Sequence, residues 1–170
     1  SGLDQITQQN AQMADGAAES ARGLQERAAR LADAVAAFRL RQGTAEEAVA
    51  MIERALTHFR SRGTAAYQDF NAASGPFIDR DLYLFGIDDE GVYRVFGGQP
   101  AKLNTRMQDV AGIDGTELVR KVKACIAQGG GWVEYDFRNP TTDTLQPKMS
   151  YVMRCGNINL GCGVYKSLVG

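Results

Sequence analysis

Lys148, Tyr135 and Tyr151 are the residues whose types best suit holding a small polar molecule. A lysine offers a compact positive charge with three donors, and each tyrosine offers an aromatic wall tipped with a hydroxyl. All three lie near loop junctions of a stretch that alternates apolar and polar residues. The other reactive residues lack partners. His58 is the only histidine, no second ligand stands at metal spacing from it, and it reads as an exposed or packed helix residue. A cysteine nucleophile working with His58 has no orienting third group. Cys125, Cys155 and Cys162 are odd in number and form no tight pair, the usage of a reducing compartment. They read as packed thiols rather than metal ligands or a disulfide, although Cys155 and Cys162 could face each other across a Gly156-Asn157 turn. Asp88, Asp89 and Glu90 lack the ligand spacing of a calcium loop, and Gly97-Gly98 lacks the Walker pattern. The chemistry on offer is binding. No enzyme activity, cofactor or metal is expected.

The elements that position these residues come last in the chain. Residues 132–138 put Val133, Tyr135 and Phe137 on one face and Trp132, Glu134, Asp136 and Arg138 on the other. Residues 148–155 group Met149, Tyr151, Met153 and Cys155. A period of two with β-branched and aromatic residues predicts strands. Asn139-Pro140 ends the first, Gly156-Asn157 turns the second into a third over 160–165, and Gly161 and Gly163 leave room for a backbone or a ligand to approach. Upstream, residues 81–87 and 92–96 form a hairpin around an acidic turn closed by Gly91. A helix over 115–127 turns Leu118, Val122, Cys125 and Ile126 inward, with Arg120, Lys121 and Lys123 solvated. Thr44 with Glu47 three residues on is a capping box, opening a helix to about residue 62 with Val49, Ile52, Ala55, Leu56 and Phe59 as its stripe. A shorter helix carries Tyr67 and Phe70 and stops at Ser74-Gly-Pro76.

Residues 3–40 read as one long Ala-rich helix. Leu3, Ile6, Asn10, Met13, Ala17, Ser20, Leu24, Arg27 and Leu31 follow alternating steps of three and four, a weak heptad seam that needs a partner helix. The expected architecture is α+β: a long N-terminal helix over 1–42, then a domain over 43–170 with a five-stranded antiparallel sheet flanked by helices. In a chain of 170 residues with a net charge of -1, nucleic acid is not an expected partner. No apolar run reaches the ~18–20 residues of a membrane span, and no signal peptide is visible.

Two resemblances bear on function. Thr7-Gln-Gln-Asn-Ala11, Leu24-Gln-Glu-Arg-Ala-Ala-Arg-Leu31 and Ala34-Val-Ala-Ala-Phe-Arg-Leu40 resemble the C-terminal end of the signalling hairpin of methyl-accepting chemotaxis proteins. Where that family carries a Gln/Glu adaptation pair, this chain has Asp15-Gly16. Glu19 is the nearby carboxylate of the right kind, and it reads as a solvated charge. Tyr83-Leu-Phe-Gly-Ile-Asp88, Asp109-Val-Ala-Gly112, Gly130-Gly-Trp-Val-Glu-Tyr135, Lys148-Met-Ser-Tyr-Val152 and Leu160-Gly-Cys-Gly-Val-Tyr165 resemble a single Cache domain, a PAS-like sensory module, over about residues 44–168.

The resemblances imply a chemoreceptor whose sensor follows the signalling hairpin in the cytoplasm. They leave open whether the whole receptor is anchored in the inner membrane. They also imply a homodimer through the N-terminal helix, the chemotaxis kinase and adaptor as partners, and a small organic anion such as acetate, pyruvate or lactate as ligand. Lys148 is the expected charge partner of a carboxylate, with Tyr151, Tyr135, Tyr83 and Trp132 beside it and Arg94 or Arg106 as a bidentate clamp. The alternative is a ligand-free dimerisation or docking module.

Overall fold

Alanine-rich sequence with few β-branched residues gives helix α1, Gly2–Arg39. Its seam residues Ile6, Met13, Leu24 and Leu31 are 57–66% exposed. The computed structural model describes residues 2–39, 42–138 and 144–166. The chain divides into two compact units, Ser1–Arg41 and Gln42–Gly170.

The second unit begins on the capping box. Thr44 Oγ1 accepts from Glu47 N, and Glu47 Oε2 accepts from Thr44 N at 2.8 Å, so two otherwise orphaned donors are satisfied at the start of α2, Ala45–Arg62. Helix α2 buries Ala48, Met51, Ile52 and Ala55. Ile52 and Ala55 are buried as expected, with Ala48 and Met51 beside them, while Val49 is half-buried and Leu56 and Phe59 pack on the core margin. A short α3, Ala66–Phe70, follows a 3-10 turn over Gly63–Ala65, and its Phe70 is fully buried edge-on to Phe77.

The strands are β1 (Ile78–Asp79), β2 (Leu82–Ile87), β3 (Tyr93–Phe96), β4 (Gly131–Arg138), β5 (Leu145–Cys155) and β6 (Ile158–Tyr165), with α4 (Gly115–Ala127) between β3 and β4. They form one antiparallel sheet in the order β1-β2-β6-β5-β4, with β3 also paired to β2. The expected five strands are present. The sixth, β1, is a two-residue pairing against the start of β2, too short to leave an alternating pattern.

Each face of the sheet has its own core. On one side α2 and α3 cover Leu82, Leu84, Ile158, Leu160, Cys162 and Val164. On the other, α4 and the loop after β3 cover Phe85, Ile87, Tyr93, Phe96, Val133 and Val152. Cys155 opposes Ile158 and Cys162 opposes Tyr151, so the register keeps the two thiols apart, and both are free in the first core. The acidic turn closes on itself: Asp88 Oδ1 accepts from Glu90 N and Val92 N. Among the described residues no cluster of His, Cys, Asp and Glu could hold a metal ion, and no helix is long and apolar enough to cross a membrane.

Candidate functional site

Three adjacent strands bring Tyr135, Lys148 and Tyr165 side by side, because Lys148 opposes Tyr135 on β4 and Tyr165 on β6. Directly opposed residues project from the same face of an antiparallel sheet. Lys148 is 2% exposed. Its ammonium stands 4.8 Å from the Tyr83 ring centre, 5.1 Å from Phe137 and 4.6 Å from Tyr165, and Nζ donates to Tyr83 Oη at 3.1 Å. Aromatic faces attract a cation. Among the described residues no carboxylate lies within ion-pair distance of it. A buried charge without an ionic partner is costly.

Room for the lysine comes from β6. A Cβ on Gly163 would lie 2.5 Å from Lys148 Cε and 2.5 Å from Ser150 Oγ, and a Cβ on Gly161 would lie 2.4 Å from the Phe85 ring. The two glycines thus admit side chains of this chain to the sheet face, rather than a ligand. Ser150 Oγ is hydrogen-bonded to Tyr135 Oη at 2.8 Å. Burial pushes the Tyr135 phenol up to about 12, against the pull of Lys148, and pushes Tyr83 and Tyr93 up as well. These phenols are neutral at neutral pH, and Tyr83 accepts from Lys148. Burial also raises Asp81, opposed by its hydrogen bond from Gly43 and by the Lys148 charge. Tyr165 Oη is buried with no hydrogen-bond partner among the described residues.

Two of the spaces on this face share lining residues. The inner one, about 10 Å³, touches Lys148, Tyr135, Tyr93, Tyr83, Phe96 and Phe137. The outer one, about 860 Å³, is half open and shares Tyr83, Phe96 and Phe137 as its floor. Its rim is the loop after β3, which supplies Lys102, Asn104, Thr105, Arg106 and Asp109. The Tyr83, Phe96 and Phe137 rings stand between Lys148 and the outer space.

The structure brings Lys148, Tyr83, Tyr135 and Arg106 to one side of the sheet and leaves the other expected residues elsewhere. Tyr151 and Trp132 are on the opposite face, where Trp132 meets Tyr151 edge-on at 5.4 Å and is 38% exposed. Lys148 and Tyr151 are three apart, and a period of two sends residues three apart to opposite faces. Arg94 is tied down outside the cavity, donating from Nε to Asp88 Oδ2 at 2.8 Å and from Nη1 to Asn104 Oδ1 at 2.9 Å. His58 is bonded to Asp69 at 2.7 Å and packs on Phe70 and Phe77, as a packed helix residue does. Phe137, Tyr165 and Ser150 were missed. Alternation alone places Phe137 with Tyr135, and Ser150 with Lys148. Tyr165 needed the β5–β6 register.

Comparison with known proteins agrees with this geometry. A methyl-accepting chemotaxis protein from Vibrio parahaemolyticus has a similar fold, with a TM-score of 0.57 at 20% identity over 71% of this chain and 86% of that one. A Cache chemosensory domain described for its carboxylic acid recognition is similar at a TM-score of 0.52 and 23% identity, over 71% of this chain and 91% of that one. No curated protein matches the chain. The family of Single Cache domain 2 matches residues 5–167, nearly the whole sequence. Such domains are sensory and not enzymes. A match of that extent shows the family: the chain belongs to the Single Cache domain 2 family.

Proposed function

We propose that this domain senses a small organic anion, with a carboxylate as the recognised group and Lys148 as its charge partner. The observation that carries the reading is the buried ammonium of Lys148, which donates to Tyr83, turns its other donors toward the Tyr165 and Phe137 rings, and has no carboxylate in ion-pair range among the described residues. A carboxylate entering past Tyr83 and Phe137 takes those donors and offsets the buried charge, while Tyr135 and Tyr83 offer neutral hydroxyls. Arg106 and Lys102 at the rim raise the local concentration of anions. The likeness to a domain described for carboxylic acid recognition supports the same class.

In this reading the domain is the sensor of a chemoreceptor. It follows the end of the signalling hairpin in the cytoplasm, works as a homodimer through α1, and controls the chemotaxis kinase and adaptor. Ligand must bind two packings of the assembly with different affinity for any signal to pass. The hairpin-like motifs over 7–40 and the exposed seam residues Ile6, Met13, Leu24 and Leu31 support this placement, and the family match over residues 5–167 takes in the same helix. Calorimetry with acetate, pyruvate and lactate, on the wild type and on Lys148→Met, tests the site. Binding that disappears in the variant supports it, and silence throughout, or binding indifferent to the change, rejects it.

One observation favours a second reading, a ligand-free dimerisation module. The space in contact with Lys148 is only about 10 Å³, and three rings already surround the ammonium. On that reading the three anions leave the melting temperature unchanged.

A further inference from the structure

We propose that Asp81 couples occupancy of the Lys148 site to the segment that enters α2, an inference that rests on the anion-binding reading above. The turn between β1 and β2 holds that segment residue by residue. Asp81 Oδ1 accepts from Gly43 N at 2.6 Å. Arg80 donates from Nη1 to Gln42 O at 2.9 Å, and its Nη2 pairs with Glu47 and Asp79, each at 2.7 Å. Glu47 is also the acidic member of the α2 capping box. Arg80 sits at φ 57, a left-handed conformation that a non-glycine residue keeps only when its surroundings over-determine it. Gly43 is seated on Leu82, where a Cβ would lie 2.1 Å from Leu82 Cγ. The junction is thus fastened through backbone atoms and the helix cap, and it has no room for a larger residue at 43.

The other end of this turn leads into the site. Tyr83, two residues after Asp81 along the chain, is the hydroxyl partner of Lys148. Asp81 is half-buried and feels the Lys148 charge, which favours its ionised form. Without ligand, Asp81 is the nearby carboxylate that Lys148 attracts, while its bonded partner is Gly43. An anion seated at Lys148 neutralises that attraction and repels Asp81, so the carboxylate closes on the partners at the junction end, Gly43 N–H, its own N–H and the Arg80 charge. Occupancy therefore tightens the hold on the junction. By reciprocity, removing the Asp81 charge removes a competitor and strengthens anion binding.

Amide exchange of Gly43, followed by NMR in the full chain with pyruvate as probe, tests the coupling. Expected are a several-fold slowing of Gly43 exchange on adding pyruvate, and a slowing in the same sense in ligand-free Lys148→Gln. Asp81→Asn should speed Gly43 exchange on the order of tenfold, the loss of one charge-assisted hydrogen bond. That variant should also bind pyruvate more tightly, with Gly43 no longer responding. If Lys148→Gln, and Lys148→Met as a second neutral replacement, leave Gly43 at the wild-type rate while Asp81→Asn accelerates it, Asp81 is a structural tie and the coupling is overturned. If pyruvate fails to bind the wild type but the neutral variants still slow Gly43, the coupling stands and the pyruvate site falls.

Discussion

Gly163→Ala probes the packing beneath the lysine. Gly163 is not at positive φ, so alanine's penalty there is contact and not backbone strain. The new Cβ would stand 2.5 Å from Lys148 Cε and 2.5 Å from Ser150 Oγ. Non-bonded carbons rest at about 3.5–4.0 Å, so the neighbours must give by roughly 1 Å. Lys148 cannot swing into water, being held among three rings, and Ser150 can turn only by leaving Tyr135. Overpacking of this kind costs about 1–3 kcal/mol, whereas replacing a glycine in compatible backbone gains about 0.4–1 kcal/mol through the unfolded chain. The net expectation is a loss of about 1–2 kcal/mol, or a melting temperature lower by roughly 3–8 °C for a domain of this size. Thermal melts by circular dichroism, with urea titration at an unchanged m-value, measure it. In a Lys148→Ala background part of the clash is gone, and the cost of Gly163→Ala should shrink by about 1 kcal/mol, within the coupling expected of touching residues. A melting temperature that holds or rises in Gly163→Ala would refute the placement of Lys148 over β6.

Lys148→Met should leave stability unchanged or raise it, since a buried unpaired charge gives way to an apolar chain of similar volume, and urea melts will show it. Thr44→Ala removes a capping-box member and should cost about 1 kcal/mol by the same assay. Tyr67→Phe deletes a hydroxyl bonded to Cys155 O and Asn157 Oδ1, at 3.0 and 2.9 Å, and should cost about 1 kcal/mol. Alkaline pH should destabilise the fold. Burial raises Cys155 from 9.0 to about 11 and Cys162 from 9.0 to about 12. The unfolded chain loses these protons first, so stability is intact below pH 9 and falls as pH rises from 9 toward 11 and 12. Urea midpoints taken from pH 8 upward should fall, and less steeply in Cys162→Ala.

The elements were legible because each carries a local signal. Thr44 and Glu47 mark the start of α2, the glycines at 129–131 separate α4 from β4, and alternation marks β4 and β5. What local signals miss is pairing. The Cys155–Cys162 juxtaposition failed because a tight turn at Gly156-Asn157 fixes a register in which Cys155 meets Ile158. Arg94 read as a free clamp because its partners, Asp88 and Asn104, are supplied by a turn and a loop whose approach is not written in spacing. Ile52 and Ala55 of the α2 stripe were legible, but its edge was not, because several alanines flank it and only the neighbouring sheet decides that Ala48 is buried and Val49 half-buried.

The candidate site shows the same division within a single motif. Lys148-Met-Ser-Tyr151 looks like a lysine beside a tyrosine, but strand geometry sets the two on opposite faces, and the tyrosines beside Lys148 come from other strands. The residue that does belong with it, Ser150, stands at the even spacing. The feature that makes the arrangement possible is an absence, the missing side chain at Gly163, whose space the lysine stem occupies. The sequence shows that a glycine there leaves room, and the register shows which side chain fills it. The gap lets a charged residue lie flat against the sheet, sealed from water by rings. The same burial that makes Lys148 costly to keep strengthens any charge interaction it makes, and the proposed carboxylate site draws on that difference.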